Sequence, residues 1–370
     1  MPEETAQTAS TAHGGESPSA QSLISVVIPS LRRPDLVEQC LASLARQTLP
    51  TQQFEVLVVE NEARPGAKPP AFLPKNARWL PLTENLGTTG SINRALEQSR
   101  SDYVMLLNND VQLETRCLRA LLDTLQADAG LGFATAKLLN ARRPGVLDGA
   151  GDALLCGGGA YRLGHDNPDC GQFDRVAPVL AGCGAATLFR RAALEKAGRL
   201  DEHFFAYLDD VDLGLRVHLA GYRGVYTPEA VAGHLGSATL GDVFHPRIAE
   251  LLTRNQFFLL MKDYPAGALW RLLGRITVFQ LFWLALVVRR GRLGSYLRGV
   301  AGALLGAPKM LAKRRRLVRS RAVSSTQFLD LLRASERQIF AWQKALPADA
   351  RSALLTAYFR WFKPRETVNR

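Results

Sequence analysis

The stretch "DYVMLLNND", residues 102–110, joins an apolar run typical of a buried strand to three polar residues. Two earlier stretches repeat this pattern: "ISVVIPS", Ile24–Ser30, ends in proline and serine, and "FEVLVVEN", residues 54–61, ends in glutamate and asparagine. In open α/β sheets, ligands bind outside the carboxyl ends of the strands. The three stretches therefore predict one sheet with a ligand site along a single edge.

Helical patterns separate these strands. "LVEQCLASLARQ", residues 36–47, and "TGSINRALEQS", residues 89–99, carry apolar residues at helical spacing. The alternation predicts an α/β fold, with a mostly parallel sheet flanked by helices. After His245 the pattern becomes helical throughout. We expect a disordered tail at residues 1–22, an α/β domain at 23–242 and a helical, basic region at 243–370.

Composition limits the class of protein. The chain has 370 residues, 47% of them hydrophobic and 22% charged, as in a globular protein. Its five cysteines form no Cys-x-x-Cys pair, which argues against a zinc module or a disulfide framework and favours a reducing compartment. The first 22 residues are small and polar and lack the apolar core of a signal peptide.

The positive charge is concentrated in one block. The formal net charge is +12, and residues 289–321 hold eleven lysines and arginines and no acid. A single basic block indicates a docking surface. A nucleic-acid-binding protein is an alternative, but the block has few interleaved aromatic residues and no recognised reading module.

The stretch "YLDDVDLGLR", residues 207–216, crowds Asp209, Asp210 and Asp212 at the predicted start of a helix. Acids in a first turn stabilise a helix by roughly 0.3–1 kcal/mol each through its dipole. Carboxylates placed this close also repel one another, and burying them is costly unless they are paired or bind metal. Taken alone, the pattern leaves both helix capping and catalysis open.

Two further residues are candidate metal ligands. Asp110 offers hard oxygen atoms at a strand end, which suits Mg²⁺ or Mn²⁺ bound to phosphates, although "NND" is also good turn chemistry. His234 follows a short strand-like run, where a structural histidine is the alternative. "ENLGTTGSINRA" places Asn85, Gly87 and Gly90 before a helix whose free N–H groups suit a phosphate.

Together these motifs resemble family 2 glycosyltransferases of the GT-A fold, and the rhamnosyltransferase-like members most. The stretches that carry the resemblance are "SVVIPS", "EVLVVEN", "ENLGTTGSINRAL", "DYVMLLNNDV", "AGCGAATLFRR" and "FFAYLDDVDLGLRVHLAGYRGVYTPEAVAGH". They cover residues 23–240 in the order of the family.

The resemblance implies roles for individual residues. Asp110 would hold a divalent cation on the diphosphate and His234 would complete the metal site, while Asn108 would meet the ribose. Asp210 would act as the catalytic base, with Asp209 beside it. The resemblance also implies nucleotide-sugar contacts for Pro29, Ser30, Arg32, Glu60, Asn61, Asn85, Gly87, Asn93 and Asn109, and contacts to the acceptor or donor sugar for Gly182, Cys183, Gly184 and Asp209.

The chain departs from the family pattern at three places. The first loop reads Pro-Ser-Leu-Arg-Arg where Pro-Thr-Tyr-Asn-Arg is usual. Glu60 replaces the commoner aspartate, which bears on the choice between a uracil and a thymine base. The acidic pair is Asp-Asp instead of Glu-Asp, which favours Asp210 as the base and keeps Asp209 as the alternative.

The implied reaction is inverting, metal-dependent transfer of a sugar, with Mn²⁺ or Mg²⁺ as cofactor. The donor would be a dTDP- or UDP-linked sugar such as rhamnose, and the acceptor a cell-surface glycan or its lipid-linked precursor. A sugar nucleotidyltransferase is the alternative enzyme, but "SLRRPD" lacks the glycine-rich loop that it needs after the first strand. No nucleic-acid partner is expected, and a homo-oligomer is left open.

The apolar run "ITVFQLFWLALVV", residues 276–288, bears on localisation. It has 13 residues between two arginines, whereas a spanning helix needs about 20. A buried core helix is one interpretation. The other is an interfacial segment which, with the basic block, holds a cytoplasmic enzyme on the inner face of the cell membrane. We also expect truncation near residue 270 to abolish binding to anionic vesicles, and donor hydrolysis to survive it if the remaining domain still folds.

Overall fold

The computed structural model describes residues 22–236 and 245–364. The tail expected at residues 1–22 lies outside this part except for Ser22, and the boundary expected at residue 242 lies outside it as well. The strands of the described residues are β1 (Ile24–Ser30), β2 (Phe54–Glu60), β3 (Ala77–Pro81), β4 (Tyr103–Leu107), β5 (Val111–Leu113), β6 (Leu131–Asn140), β7 (Leu147–Gly149), β8 (Asp152–Leu154), β9 (Ala160–Arg162), β10 (Ala177–Pro178), β11 (Ala186–Arg190) and β12 (Arg223–His234).

Helices cover both faces of the sheet, and the described residues after the last strand are helical. The helices of the α/β part are α1 (Pro34–Ala45), α2 (Gly87–Gln98), α3 (Cys117–Ala127), α4 (Arg191–Ala197) and α5 (Asp209–Leu219). The helices of the C-terminal part are α6 (Pro246–Asp263), α7 (Ala266–Arg289), α8 (Leu293–Ser320), α9 (Ser325–Ala345) and α10 (Ala353–Trp361). The α/β fold with a helical C-terminal region is confirmed.

The large sheet is mixed, with strand order β10-β12-β6-β11-β4-β1-β2-β3. Strands β4, β1, β2 and β3 are parallel to one another, as the sequence predicts for an alternating chain. Strand β11, however, runs antiparallel to both of its neighbours, β4 and β6. The sheet is therefore less parallel than expected, because the chain enters β11 from a short loop at the carboxyl edge instead of from a crossover helix.

The C-terminal helices share hydrophobic cores with the α/β part. Phe279 and Trp283 of α7 and Tyr358 of α10 are buried in one cluster with Val27 and Leu106 of the sheet. A second cluster packs α5 against α6, α8 and α9. The packing is therefore continuous between the α/β part and the helices that follow it.

Helix α7 is longer than the apolar run of residues 276–288 that it contains. It has 24 residues, so the expectation that this segment is too short to span a membrane is wrong for the helix as a whole. By length and composition it is the one helix of the described residues that could cross a membrane, with a mean hydropathy of 1.6 over 18 residues. Only 22% of that window is buried, so α7 packs one face on the core, through Phe279, Trp283 and Val287, and leaves the other face exposed.

Candidate active site

The carboxyl ends of three parallel strands meet at one edge of the sheet. Ser30 at the end of β1 lies in register with Glu60 at the end of β2. Asn61 donates its backbone N–H to the Ser30 carbonyl at 2.8 Å, and Asn109 Nδ2 lies 3.5 Å from Ser30 Oγ. The polar residues that follow "ISVVIP", "FEVLVV" and "YVMLL" are thus brought together.

The loop before α2 is fixed by two asparagines. Asn61 Oδ1 accepts the N–H of Leu86 at 3.0 Å, and Asn85 Oδ1 accepts the N–H of Gly87 at 3.0 Å. Gly87 has φ +69°, and a Cβ on it would lie 2.3 Å from the Phe205 carbonyl oxygen. Glycine is therefore required here, both for the left-handed backbone and for the close approach of the loop that precedes α5.

Asn93 lies behind this loop. Its Nδ2 donates to the Leu200 carbonyl at 2.9 Å and to Glu202 at 2.9 Å, and its Oδ1 accepts the N–H of Leu200 at 3.1 Å. The amide of Asn93 therefore ties α2 to the segment that leads into α5.

The first loop after β1 also bonds to the neighbouring strand. Arg32 has φ 55° and donates its backbone N–H to Glu60 Oε1. Its guanidinium pairs with Glu62 at 2.9 Å, and both side chains are about half exposed. Glu60 can accept this hydrogen bond because it lies next to Ser30 in the sheet. The bond orders the loop between β1 and α1.

Asp110 and His234 lie side by side, although 124 positions separate them in the sequence. His234 Nε2 is 3.3 Å from Asp110 Oδ1, and His234 Nδ1 is 2.7 Å from Asp148 Oδ2. Burial opposes protonation of His234, but the hydrogen bonds to both carboxylates outweigh it and raise its pKa to about 9. A carboxylate on one ring nitrogen orients the other for a metal, so the donor set fits a divalent cation.

Arg162 connects this group to a second group of acids. Its NH1 atom lies 2.8 Å from Asp148 Oδ2, and its Nε lies 3.6 Å from Asp152 Oδ1. Burial opposes ionisation of Asp148, but the hydrogen bond from His234 and the charge of Arg162 outweigh it and lower its pKa to about 2. Asp148 is therefore an anion between two cationic groups.

Asp152, Cys183 and Asp210 form the second group, and one ligand atom from each lies within 4.8 Å of the others. Burial raises the pKa of Asp152 to about 7, and burial also keeps the Cys183 thiol protonated by raising its pKa. The Arg162 guanidinium lies 3.6 Å from Asp152, and its positive charge opposes a cation in this group. The first group, with Asp110 and His234, is the better candidate metal centre.

The three acids at the start of α5 have different surroundings. Asp212 is fully buried and pairs with Arg216 at 2.6 Å and with Lys262. Asp209 is 8% exposed, and burial together with the charge of Asp210 raises its pKa to about 8. Asp210 is partly exposed, and its carboxylate accepts the N–H of Val211 at 2.8 Å and that of Gly184 at 3.2 Å.

The segment before these acids, residues 204–208, has an unfavourable backbone conformation and is held by hydrogen bonds from α6. Phe205, Tyr207 and Leu208 all have φ near +65° without being glycine, which is unfavourable for each. Asn255 Nδ2 on α6 lies within hydrogen-bond distance of the carbonyls of Phe204, Ala206 and Tyr207, at 3.1, 2.9 and 2.8 Å. Helix α6 therefore holds the backbone that aims Asp209 and Asp210.

The sequence pattern did not reveal Asp148, Asp152 or Arg162. They lie in "LDGAGDALLCGGGAYR", residues 147–162, which reads as a glycine-rich connection. The available signal was two acids and one arginine inside an otherwise apolar and glycine-rich run, a composition that suits a buried polar site better than a solvated loop. Of the predicted sugar-site residues, Gly182 and Cys183 are buried, and Gly184 contacts Asp210.

Comparison with solved structures agrees with this fold. The crystal structure of GalNAc-T7 with UDP, GalNAc and Mn²⁺ matches with a TM-score of 0.51 and 10% identity, over 72% of this chain and 52% of that one. The crystal structure of Staphylococcus aureus TarS matches with a TM-score of 0.50 and 16% identity, over 85% of this chain and 55% of that one. At such low identity the two matches show the fold alone.

Sequence relatives extend the comparison. The N-acetylglucosaminyl-diphospho-decaprenol L-rhamnosyltransferase of Mycobacterium tuberculosis is 29% identical over 283 residues, which cover 69% of this chain and 91% of that protein. The O-antigen biosynthesis protein RfbC of Myxococcus xanthus is 30% identical over 228 residues, 58% of this chain and 17% of that protein. The sequence profile described as "Glycosyltransferase like family 2" matches residues 20–255. The chain therefore belongs to glycosyltransferase family 2, resembles its rhamnosyltransferases, and is a glycosyltransferase.

Proposed function

We propose that the protein is an inverting, metal-dependent glycosyltransferase whose base is Asp210. The observation that carries the proposal is the pairing of two chemically different groups at one edge of the sheet. One group, Asp110 with His234 held by Asp148, suits a cation; the other presents the Asp210 carboxylate on backbone N–H groups. Sugar transfer from a nucleotide diphosphate needs both a stabilised leaving group and a base.

Asp110 and His234 would hold the cation, Mn²⁺ or Mg²⁺. Bound there, the metal would neutralise the negative charge that develops on the departing diphosphate. Asp148 would keep the His234 ring in one orientation by accepting its Nδ1–H. The remaining metal coordination would come from the diphosphate and water, as is usual for Mg²⁺ at phosphates.

Asp210 would take the proton from the acceptor hydroxyl as that hydroxyl attacks the anomeric carbon. A single displacement of this kind inverts the configuration of that carbon. The N–H groups of Gly184 and Val211 each bond one oxygen of the Asp210 carboxylate, so its direction is fixed before the acceptor arrives. Asp209, buried and with its pKa raised to about 8, would be protonated at pH 7 and would act as a support.

The nucleotide would lie along the edge formed by β1, β2 and β4. We assign its contacts to Pro29, Ser30, Arg32, Glu60 and the segment Asn108–Asp110. The phosphate site expected at the start of α2 is not proposed, because the N–H groups of Leu86, Gly87 and Thr89 bond to Asn61, Asn85 and Phe205. The contacts of Asn61, Asn85 and Asn93 within the chain suit a different role, in which they position the loop at Gly87. Gly182, Cys183 and Gly184 would border the sugar.

The substrates follow from the relatives. The name of the mycobacterial protein specifies transfer of L-rhamnose to an N-acetylglucosaminyl-diphospho-lipid. We propose a deoxysugar donor such as dTDP-rhamnose, with a UDP-linked sugar as the alternative, and a lipid-linked diphosphate sugar or related glycan as acceptor. The part of the chain that carries this chemistry would be residues 23–242, and residues 243–370 would support and dock it.

The C-terminal helices would place the enzyme on the inner face of a membrane. Trp270 of α7 is 77% exposed, and Leu304 and Leu305 of α8 are 71% and 83% exposed. Leu304 and Leu305 lie within residues 289–321, the segment that holds eleven lysines and arginines. Apolar insertion and attraction to anionic headgroups together favour peripheral binding.

A panel of nucleotide sugars, each assayed with Mn²⁺, Mg²⁺ or a chelator, tests this function. We expect donor hydrolysis or transfer with a dTDP- or UDP-linked sugar that chelator abolishes and metal restores. Turnover that the chelator does not affect would show that the reaction needs no metal. Formation of a nucleotide sugar from a nucleoside triphosphate and a sugar phosphate would instead identify a sugar nucleotidyltransferase.

A further inference from the structure

We propose that Arg162 is a positioning residue of the reaction, one that fixes the distance between the metal side and the base side of the active site. The inference rests on the proposed function, because it assigns Asp110 and His234 to the metal and Asp210 to the base. It concerns a residue outside every motif that the sequence offered for catalysis.

Arg162 contacts one acid on each side of the site. Its NH1 atom lies 2.8 Å from Asp148, the residue that orients His234, and its Nε lies 3.6 Å from Asp152. Asp152 in turn belongs to the cluster of Asp152, Cys183 and Asp210. The Arg162 guanidinium thus donates a hydrogen bond to Asp148 and forms a longer ion pair with Asp152. The directions of both contacts are set by its rigid planar fork, which a lysine ammonium cannot reproduce.

A glycine of β7 leaves space for the Arg162 side chain. The stem of Arg162 crosses Gly149, the last residue of β7. A Cβ at Gly149 would lie 2.4 Å from Arg162 Cδ and 2.6 Å from Arg162 Cγ. Position 149 of β7 therefore needs a residue without a side chain, because the Arg162 side chain passes there between Asp148 and Asp152.

Hydrogen bonds on two sides hold the hairpin that carries Arg162. Asp152 and Arg162 are paired opposite each other in the hairpin of β8 and β9. The backbone of Asp152 exchanges two hydrogen bonds with Ala181, just before Gly182–Gly184. On α9, Ser335 Oγ accepts the N–H of Leu154 at 2.7 Å and Glu336 accepts that of Cys156 at 3.1 Å.

These contacts give the C-terminal helix α9 a part in the chemistry. It supports the hairpin, the hairpin carries Arg162, and Arg162 joins the partner of His234 to the neighbour of Asp210. Misplacement of a reacting group by about 1 Å costs on the order of 10² in rate. Loss of a residue that orients a metal ligand costs about 10–100-fold in metal affinity.

The test compares Arg162→Ala, Arg162→Lys and Gly149→Ala with the wild type. We expect Arg162→Ala to lower kcat by on the order of 10² with little change in the KM of the donor, and to weaken Mn²⁺ binding, measured by electron paramagnetic resonance, about tenfold or more. Arg162→Lys keeps the charge without the fork, so its losses should be nearly as large. Gly149→Ala should act in the same direction, because it displaces the arginine stem.

Chemical rescue separates positioning from folding. Arg162 is 29% exposed, so a small cation has access to its place. Guanidinium chloride at non-denaturing concentration should restore much of the turnover of Arg162→Ala, and sodium chloride at equal ionic strength should not. The matched control is Arg143→Ala, which removes an exposed partner of Asp166 and should lose little turnover and gain nothing from guanidinium.

Two results would overturn the proposal. One is wild-type turnover and Mn²⁺ affinity in Arg162→Ala while Asp210→Asn and Asp110→Ala are inactive; the proposed function would then stand without this residue. The other is a loss in Arg162→Ala that follows a lowered melting temperature and shows no response to guanidinium. If wild-type turnover needs no metal, the metal assignment fails by itself, and rescue of turnover still decides the role of Arg162 toward Asp210.

Discussion

Two neighbouring acids at the start of α5, Asp209 and Asp210, are expected to behave differently when neutralised. Asp210→Asn removes the proposed base and should lower turnover by roughly 10² to 10⁴, with nucleoside diphosphate binding retained. Asp209→Asn resembles the protonated form that burial already favours, so most turnover should remain. Steady-state kinetics of both variants decides. Collapse in Asp209→Asn alone would move the base by one residue.

The same residue predicts how stability changes with pH. Burial raises the pKa of Asp209 from 3.8 to about 8, so the folded state binds a proton that the unfolded state has lost. Its contribution to the free energy of unfolding is therefore complete below about pH 4 and falls progressively up to about pH 8. Asp209→Asn should gain stability over the wild type as pH rises through this range. Denaturant titrations at several pH values test this, and an unchanged difference contradicts it.

The metal site yields a prediction about binding. Asp110→Ala removes the proposed ligand of the cation and should weaken binding of the nucleoside diphosphate in the presence of Mn²⁺. His234→Ala should do so less severely. Isothermal titration calorimetry with and without Mn²⁺ provides the measurement. Equally tight binding by the wild type without metal would show that no metal bridge exists.

Among single residues, the sequence indicated the candidate metal ligands but not the residues that connect them to the rest of the site. Asp110 and His234 were recognisable because each follows a strand-like run and matches a family motif. Asp148 and Arg162 were not, because their role comes from contacts between residues that are far apart along the chain, such as Asp148 with His234 across 86 positions. Periodicity reports which face a residue occupies, but not which distant side chain it meets.

At the scale of elements, the segment before α5 depends on one side chain of α6. Asn255→Ala would leave the carbonyls of Ala206 and Tyr207 without their amide partner, whereas the carbonyl of Phe204 keeps the Arg254 guanidinium at 2.8 Å. Each buried group left unsatisfied costs about 1–3 kcal/mol, and the left-handed residues could then relax. We expect a lower melting temperature and a lower kcat with unchanged metal affinity. Normal values of both would show that the segment holds its shape without α6.

The strands and helices of the first half were well predicted, since β1, β2 and β4 are continuous apolar runs and α1 and α2 carry clear stripes. The antiparallel direction of β11 was not predicted. An apolar strand followed by a helix gives the same sequence pattern whether the strand is parallel or antiparallel to its neighbours. The hairpin of β8 and β9 was also missed. Its strands have three residues each, too few to show a period.

At the scale of the whole molecule, the expected independence of the α/β domain conflicts with the packing. Truncation near residue 270 would remove Phe279, Trp283, Ile339 and Tyr358 from a cluster that includes Val27 of the sheet. Burial of each large apolar side chain contributes about 1.5–3 kcal/mol, against a total stability of about 5–15 kcal/mol. The truncated chain should not melt cooperatively in a calorimeter. A cooperative transition with donor hydrolysis would show that the domain folds alone.

Membrane association belongs to the same scale. The full chain should bind vesicles that contain phosphatidylglycerol, less so as salt rises, and only weakly those of phosphatidylcholine. Replacing exposed Trp270, Leu273 and Leu281 of α7 with serine should weaken that binding on the order of tenfold or more. Sedimentation with vesicles measures both. Extraction from cell membranes by detergent but not by salt would mean that α7 spans the bilayer.

The proposed reaction is a single displacement in which Asp210 takes the proton of the acceptor while a metal holds the diphosphate. Its most direct test is the configuration of the new glycosidic bond, read by NMR from the anomeric carbon–proton coupling of the product and compared with that of the donor. The account predicts inversion. Retention of configuration would contradict it.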